Sequence, residues 1–201
     1  MAVQRRPYNR VMEALLFSTG VVALAEIGDK TQLLAFILAA RFKKPLPIIA
    51  GIFCATVVNH GLAGALGAWI TSMITPDTMR WVLGLSFIGM AIWTLIPDKI
   101  EEEETQIAKQ FGVFGATLVT FFLAEMGDKT QIATVALAAK FSDPIWVVVG
   151  TTLGMLIADI PAVFVGDRFA ARIPLKLVHG IAAAMFAVMG VLALLNVGNL
   201  L

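Results

Sequence analysis

The chain has 201 residues, of which 59% are hydrophobic and 14% are charged, and its mean hydropathy is +0.86. Soluble domains hold about 45–50% apolar and ~25% charged residues, so this composition excludes an ordinary soluble globule and favours a protein that crosses a membrane repeatedly. The net charge of +1 comes without a basic stripe and gives no sign of a nucleic-acid partner, and the single cysteine, Cys54, excludes an internal disulfide and a thiolate metal cluster.

Six apolar segments follow one another along the chain. They cover residues 12–40, 47–72, 79–96, 112–139, 144–166 and 176–197. The first segment is much longer than the apolar region of a signal peptide, so we expect it to be kept as a membrane span rather than cleaved. The pattern predicts an all-α membrane protein with six transmembrane helices.

The second half of the chain repeats the first. Glu26 and Glu125 are 99 residues apart, and this offset holds without a gap over residues 24–51, where 14 of 28 aligned residues are identical. Each half contains three spans, and an odd number of spans makes the two halves enter the membrane in opposite directions. We therefore predict two inverted three-helix repeats, at residues 1–97 and 111–201, joined by an acidic linker loop at residues 98–110.

Each half carries the same charged motif within its first apolar segment. The motif reads Glu-x-Gly-Asp-Lys-Thr-Gln and occupies residues 26–32 (motif 1) and residues 125–131 (motif 2). Charges at membrane depth cost several kcal/mol each, so they normally mark a substrate path or a proton relay. On a helix the two acids of a motif, three residues apart, share one face with the glutamine. The glycines between the acids, Gly28 and Gly127, are points where the helix can bend or loosen.

Two such motifs facing each other would form a cage of hard oxygen ligands suited to Mg²⁺, Ca²⁺ or Mn²⁺. Four acids so close together cannot all be ionised without a cation, so metal binding should expel protons and an empty site should take them up. The predicted metal ligands are Glu26, Asp29, Gln32, Glu125, Asp128 and Gln131.

Further polar residues in the apolar segments form a candidate secondary or proton site. The motif lysines have a structural alternative, which is an ion pair that holds two helices together. For the asparagine and histidine of the second segment the alternative is an interhelical hydrogen bond. The candidates are Lys30, Thr31, Asn59, His60, Lys129, Thr130 and Asp159.

The loops between the segments predict the orientation. With the N-terminus outside, the loops on the cytoplasmic side contain eight lysine and arginine residues. With the opposite orientation, the loops on the cytoplasmic side contain five. Because cytoplasmic loops are enriched in these residues, we predict both termini outside and the acidic loop in the cytoplasm. Arg5, Arg6 and Arg10, before the first segment, oppose this orientation.

Two copies of Glu-x-Gly-Asp-Lys-Thr in a six-span chain of 201 residues resemble the UPF0016 family of cation transporters. The similarity extends over nearly the whole chain. It implies export of Mn²⁺, or of Ca²⁺ as in some members, from the cytosol in exchange for protons. The family's motif acids correspond to Glu26, Asp29, Glu125 and Asp128. The small size is similar to that of bacterial members, which implies a multi-pass protein of the cell inner (plasma) membrane.

Other functions are compatible with the same residues. A Ca²⁺/H⁺ antiporter of the same architecture is the nearest alternative, and a non-transporting membrane scaffold is an alternative of another class. An intramembrane metal-dependent enzyme is disfavoured, because no histidine cluster or Ser/His pairing accompanies the acids. We therefore predict no enzymatic activity and no cofactor besides the transported cation. The expected partners are the divalent metal ion, protons and the lipid bilayer, and the oligomeric state stays open.

Overall fold

The computed structural model describes residues 7–96, 112–141, 143–165 and 175–196. Within these residues the chain forms eight α-helices and no strand, which confirms the predicted all-α class. The predicted acidic linker at residues 98–110 lies outside the described residues. The helices are α1 (Pro7–Glu26), α2 (Lys30–Phe42), α3 (Pro45–Met73), α4 (Pro76–Thr94), α5 (Val113–Glu125), α6 (Lys129–Lys140), α7 (Pro144–Val165) and α8 (Leu175–Leu194).

Four of the six predicted segments correspond to single helices, namely α3, α4, α7 and α8. Proline at the first turn begins α3 and α4, where the missing N–H costs no hydrogen bond. The first and fourth segments are each divided into two helices at the motif, and α2 turns away from α1 by 70°. Each break lies at the glycine between the two acids, which is where the sequence predicts that the helix can bend.

Several helices are long and apolar enough to cross a membrane. By length and composition α3, α7 and α8 qualify alone, and the bent pair α1–α2 adds a fourth crossing if it forms one span. By contrast, α4 begins with a polar turn that contains Asp77 and Arg80, and α5 and α6 have 13 and 12 residues. The described residues thus contain three to four candidate spans, and the six-span arrangement stays a prediction.

The two long helices α3 and α7 form the centre of the packing. Helix α3 packs against α5, α6 and α7, and α7 packs against α1, α2 and α3. Helices α4 and α8 pack against each other, with the rings of Phe87 and Phe186 stacked at 6.4 Å between centroids. This arrangement places both motif breaks beside the central helices.

Matching glycines let the helices approach closely in both halves. A Cβ atom on Gly51 would lie 2.7 Å from Cβ of Thr117, and a Cβ atom on Gly150 would lie 3.0 Å from Cβ of Ser18. Both glycines and both hydroxyl residues are 99 positions apart, the same offset as the motifs. Small residues at helix contacts allow such approach in lipid. The contact between α3 and α5 is therefore equivalent to the contact between α7 and α1.

Candidate metal centre

The break between the two helices of each motif is a tight turn centred on glycine. Gly28 has φ 85° and Gly127 has φ 79°, values in the left-handed region that glycine adopts without a steric penalty. The backbone N–H of Asp29 donates to the carbonyl of Glu26 at 3.0 Å, and the same bond in motif 2 is 3.1 Å. The predicted stripe of acid, acid and glutamine on one helical face is therefore wrong, because the chain changes direction between the two acids.

The aspartate of each motif begins the second helix. Asp29 has φ −80° and ψ 171°, and its side chain accepts a hydrogen bond from the backbone N–H of Lys30 at 2.8 Å. Asp128 has nearly the same backbone angles at the start of α6. The N-terminus of a helix carries partial positive charge, which stabilises a carboxylate placed there. The fold thus supplies a local reason for two buried aspartates in an apolar setting.

The glutamate of each motif is held by its threonine. Thr31 Oγ1 donates to Glu26 Oε2 at 2.6 Å, and Thr130 Oγ1 donates to Glu125 Oε2 at 2.9 Å. Both glutamates are fully buried, and the Oε1 atom of each has no hydrogen-bond partner among the described residues. A buried carboxylate oxygen without a partner is costly, so these two atoms are suited to receive a cation or a proton.

The glutamine of each motif accepts a hydrogen bond from the glycine of its own turn. The backbone N–H of Gly28 donates to Gln32 Oε1 at 2.9 Å, and that of Gly127 donates to Gln131 Oε1 at 2.8 Å. Gln32 also donates from Nε2 to the carbonyl of Ala158 in α7 at 2.9 Å. In this structure each amide oxygen therefore binds its own turn, and the metal-ligand role of the two glutamines stays a prediction.

The lysines cross from one motif to the other. Lys129 Nζ lies 2.8 Å from Asp29 Oδ1, and both side chains are buried. Lys30 Nζ lies 3.6 Å from Asp128 Oδ1, and the Lys30 side chain is 19% exposed. Each half thus supplies a cation to the aspartate of the other half, and these exchanged ion pairs are asymmetric in distance and in exposure.

This asymmetry predicts unequal effects on stability. Replacing Lys129 by glutamine would remove the buried cation that lies 2.8 Å from Asp29, and loss of one member of a buried ion pair typically costs about 3–5 kcal/mol. We expect a smaller loss for Lys30→Gln, because the Lys30 side chain is partly exposed and its ion pair is longer. Thermal unfolding of both variants in detergent measures the difference. Equal melting temperatures for the two variants would contradict it.

Three carboxylates of the two motifs converge. Glu26, Asp29 and Asp128 each offer an oxygen within 4.8 Å of the others, and all three are buried. Glu125 lies outside this group of three but close enough for its charge to act on Glu26. With the four acids ionised and the two motif lysines protonated, two negative charges remain uncompensated. These residues therefore fit one hard divalent cation in number, chemistry and charge.

Three other predicted polar residues lie on the central helices. Asn59 donates from Nδ2 to the carbonyl of Phe122 at 3.0 Å, as an interhelical hydrogen bond would. His60 and Asp159, 99 positions apart, are fully buried, and their side-chain polar atoms have no hydrogen-bond partner in the part of the chain described. Asp159 lies close enough to Glu26 for the two charges to interact. A further buried acid therefore lies beside the carboxylate cluster, on α7.

Two buried hydroxyl groups on the central helices α3 and α7, without a partner in the described part of the chain, are absent from the predicted set. Thr56 Oγ1 on α3 and Thr152 Oγ1 on α7 are buried and have no hydrogen-bond partner among the described residues. Thr56 is three residues before Asn59, and Thr152 is seven before Asp159, so each shares a helical face with a predicted residue. Thr56 and Thr152 could therefore have been identified from their helical spacing to Asn59 and Asp159.

A family profile described as "Divalent cation/proton antiporter GDT1" matches residues 14–102 and 113–199, and each matched stretch contains one motif. The chain belongs to this family. The resemblance carried by the doubled motif is thereby confirmed. The GDT1 family consists of membrane transporters of divalent cations and is not a family of enzymes.

Relatives with and without the GDT1 name are similar over most of the chain. A Vibrio cholerae protein named "Putative manganese exporter" is 50% identical over 184 residues, which cover 91% of this chain and 91% of the relative. "GDT1-like protein 5" of Arabidopsis thaliana is 26% identical and covers 92% of this chain and 97% of its own length. "GDT1-like protein 3" of Oryza sativa subsp. indica is 29% identical, and the alignment covers 88% of this chain and 71% of the relative. No solved structure matches the chain.

Proposed function

We propose that this protein exports Mn²⁺ from the cytosol in exchange for protons, through the carboxylate cluster formed by the two motifs. The observation that carries this function is the pair of exchanged ion pairs, Lys129 with Asp29 and Lys30 with Asp128. Because each ion pair joins a lysine of one half to an aspartate of the other, the carboxylate cluster forms only when both halves pack together. The two lysines compensate two of the four motif acids, and one divalent cation neutralises the remaining two negative charges. A clamp between helices would need the ion pairs but not the two glutamates with unpartnered oxygens.

The architecture that we propose is a pair of inverted three-helix repeats, at residues 1–97 and 111–201, joined by the linker at residues 98–110. Each bent pair, α1–α2 and α5–α6, forms one crossing, so that α3, α4, α7 and α8 complete six. The matched contacts of Gly51 and Gly150 at the repeat offset support this arrangement. A site at the interface of inverted repeats, built on broken helices, is a recurrent transporter design.

The charge balance also suggests a stoichiometry. When Mn²⁺ leaves, the cluster is left with two uncompensated negative charges in a buried site, and two protons restore neutrality. The unpartnered oxygens of Glu26 and Glu125 are places within the cluster where the described residues can accept them. We therefore propose exchange of one Mn²⁺ for two protons, with Asp159 as a second acid beside the metal ligands.

Manganese is the proposed cargo because the Vibrio cholerae relative, identical at half of the aligned positions, bears the name of a manganese exporter. Carboxylate oxygens alone bind Ca²⁺ as well, so a Ca²⁺/H⁺ antiporter remains the alternative, and a non-transporting scaffold is the alternative of another class.

Uptake of Mn²⁺, Ca²⁺ and Mg²⁺ into proteoliposomes separates these alternatives. We expect Mn²⁺ flux well above protein-free vesicles, with weaker Ca²⁺ flux and no Mg²⁺ flux, because Mg²⁺ gives up its water reluctantly. Faster Ca²⁺ than Mn²⁺ flux would identify the calcium antiporter. Flux of no ion, from a folded and inserted protein, would favour the scaffold.

We place the protein in the inner membrane with both termini outside and the acidic loop in the cytoplasm. A reporter that is active only in the cytoplasm should give signal when inserted between residues 101 and 104, and none when fused after residue 201. The eight lysine and arginine residues of the predicted inside loops, against five, motivate this expectation. The reverse pattern would refute the orientation and leave the repeat intact.

A further inference from the structure

A cavity of about 460 Å³ lies between α1, α4, α6 and α8, away from both motifs. Its walls are almost entirely apolar, with Leu83, Phe87, Met185 and Met189 among them. Its volume falls within the range of about 300–1,000 Å³ typical of small-ligand sites. Glu13 and Lys140 are the charged residues of its lining.

Aromatic rings hold the lysine in place. Lys140 Nζ lies 4.7 Å from the ring centroid of Phe17 and 5.3 Å from that of Phe141. The two rings pack edge to face at 5.9 Å between centroids. A cation over aromatic faces is attracted to them and is less free to swing into water. Glu13 and Lys140, one acid and one base, therefore both line an otherwise apolar cavity.

The helix ends that border the cavity belong to one side of the proposed membrane topology. The start of α1, the first half of α4 and the ends of α6 and α8 contribute the lining, and in the six-span arrangement all face the side of the termini. The medium around this cavity is then the hydrocarbon and head-group region of one leaflet, so lipid is the apolar molecule present in excess.

We propose that this cavity binds one zwitterionic phospholipid, with an acyl chain among the apolar walls, the phosphate at Lys140 and the head-group amine at Glu13. Neighbouring opposite charges at an apolar opening are complementary to a head group that carries both charges. The site rests on the six-span topology of the proposed function, but it does not depend on metal transport. A lipid bound there would contact α4 and α8 together with α1 and α6, the two helices that contain or adjoin the motifs.

Native mass spectrometry of the purified full chain, reconstituted with phosphatidylethanolamine or phosphatidylglycerol, tests the site. We expect one phosphatidylethanolamine to stay bound to the wild type, and Ala184→Phe, which places a ring in the cavity, to lower this retention at least ~tenfold. Ala65→Phe is the matched control, because Ala65 is exposed on α3 and does not line the cavity. Gel filtration verifies that both variants are folded.

The head-group contacts are tested separately, which keeps the site testable if Ala184→Phe fails to fold. Lys140→Gln should weaken retention of both lipids, whereas Lys176→Gln, an exposed lysine outside the lining, should not. Glu13→Gln should remove the preference for phosphatidylethanolamine over phosphatidylglycerol. Equal retention in the wild type and all of these variants would indicate surrounding lipid only, and a dimer that excludes lipid would likewise overturn the site. Retained lipid without Mn²⁺ flux would refute the proposed transport alone.

Discussion

Replacing any one motif acid by its amide should lower Mn²⁺ flux at least about 100-fold, more than the loss seen for residues that only support a metal ligand. Each substitution removes a negative charge from a cluster whose uncompensated charge matches one divalent cation. An amide also keeps the size of the side chain, so the helix starts and turns around it should persist. The variants are Glu26→Gln, Asp29→Asn, Glu125→Gln and Asp128→Asn.

Asp77→Asn is the matched control for these four variants. Asp77 is exposed in the first turn of α4, outside the carboxylate cluster, so the same chemical change there should leave flux unaltered. Insertion and folding are verified by gel filtration of the purified variants, and flux is measured in proteoliposomes. Wild-type flux in any two of the four variants would contradict the carboxylate cage.

The second large effect concerns a pH gradient. If two protons move against each Mn²⁺, a difference of one pH unit contributes about 2.7 kcal/mol, which is roughly a 100-fold change in the Mn²⁺ ratio at equilibrium. Acid on the receiving side should speed Mn²⁺ movement toward it, because protons then bind the cluster as the metal leaves. Acid on the donor side should slow it.

Vesicles loaded at one pH and diluted into another measure this effect directly. Asp128→Asn serves as the control, since a variant with a damaged cluster should not respond to the gradient. Flux that is indifferent to the gradient, at a pH where the wild type is active, would leave the proposed proton coupling without support.

The repeat and the location of the charges could be predicted from the sequence. Burying acids and lysines inside long apolar segments costs free energy, so such residues indicate a functional site. The offset of 99 residues between Glu26 and Glu125 shows in the sequence alone that the two halves are repeats. The same offset aligns His60 with Asp159, two polar residues that the structure buries on the central helices.

The turn within each motif illustrates what helical periodicity alone cannot give. A continuous apolar segment indicates a helix, yet Gly28 and Gly127 adopt positive φ and divide it. The glycines predict a bend, but the bend alone does not predict that one helix ends there and a second begins at an aspartate N-cap. The exchange of lysines between motifs had no local signal, since it depends on how two halves 99 residues apart pack together.

Proton movement driven by a Mn²⁺ gradient alone is the sharpest test of the proposed exchange. Proteoliposomes with equal pH on both sides and a trapped pH dye are given a Mn²⁺ gradient, and Mn²⁺ entry is followed in parallel. We expect the interior to become more alkaline as Mn²⁺ enters, with about two protons leaving per ion as the charge balance requires, and we expect Glu26→Gln to abolish both signals. Mn²⁺ entry with no proton movement would contradict the proposed exchange.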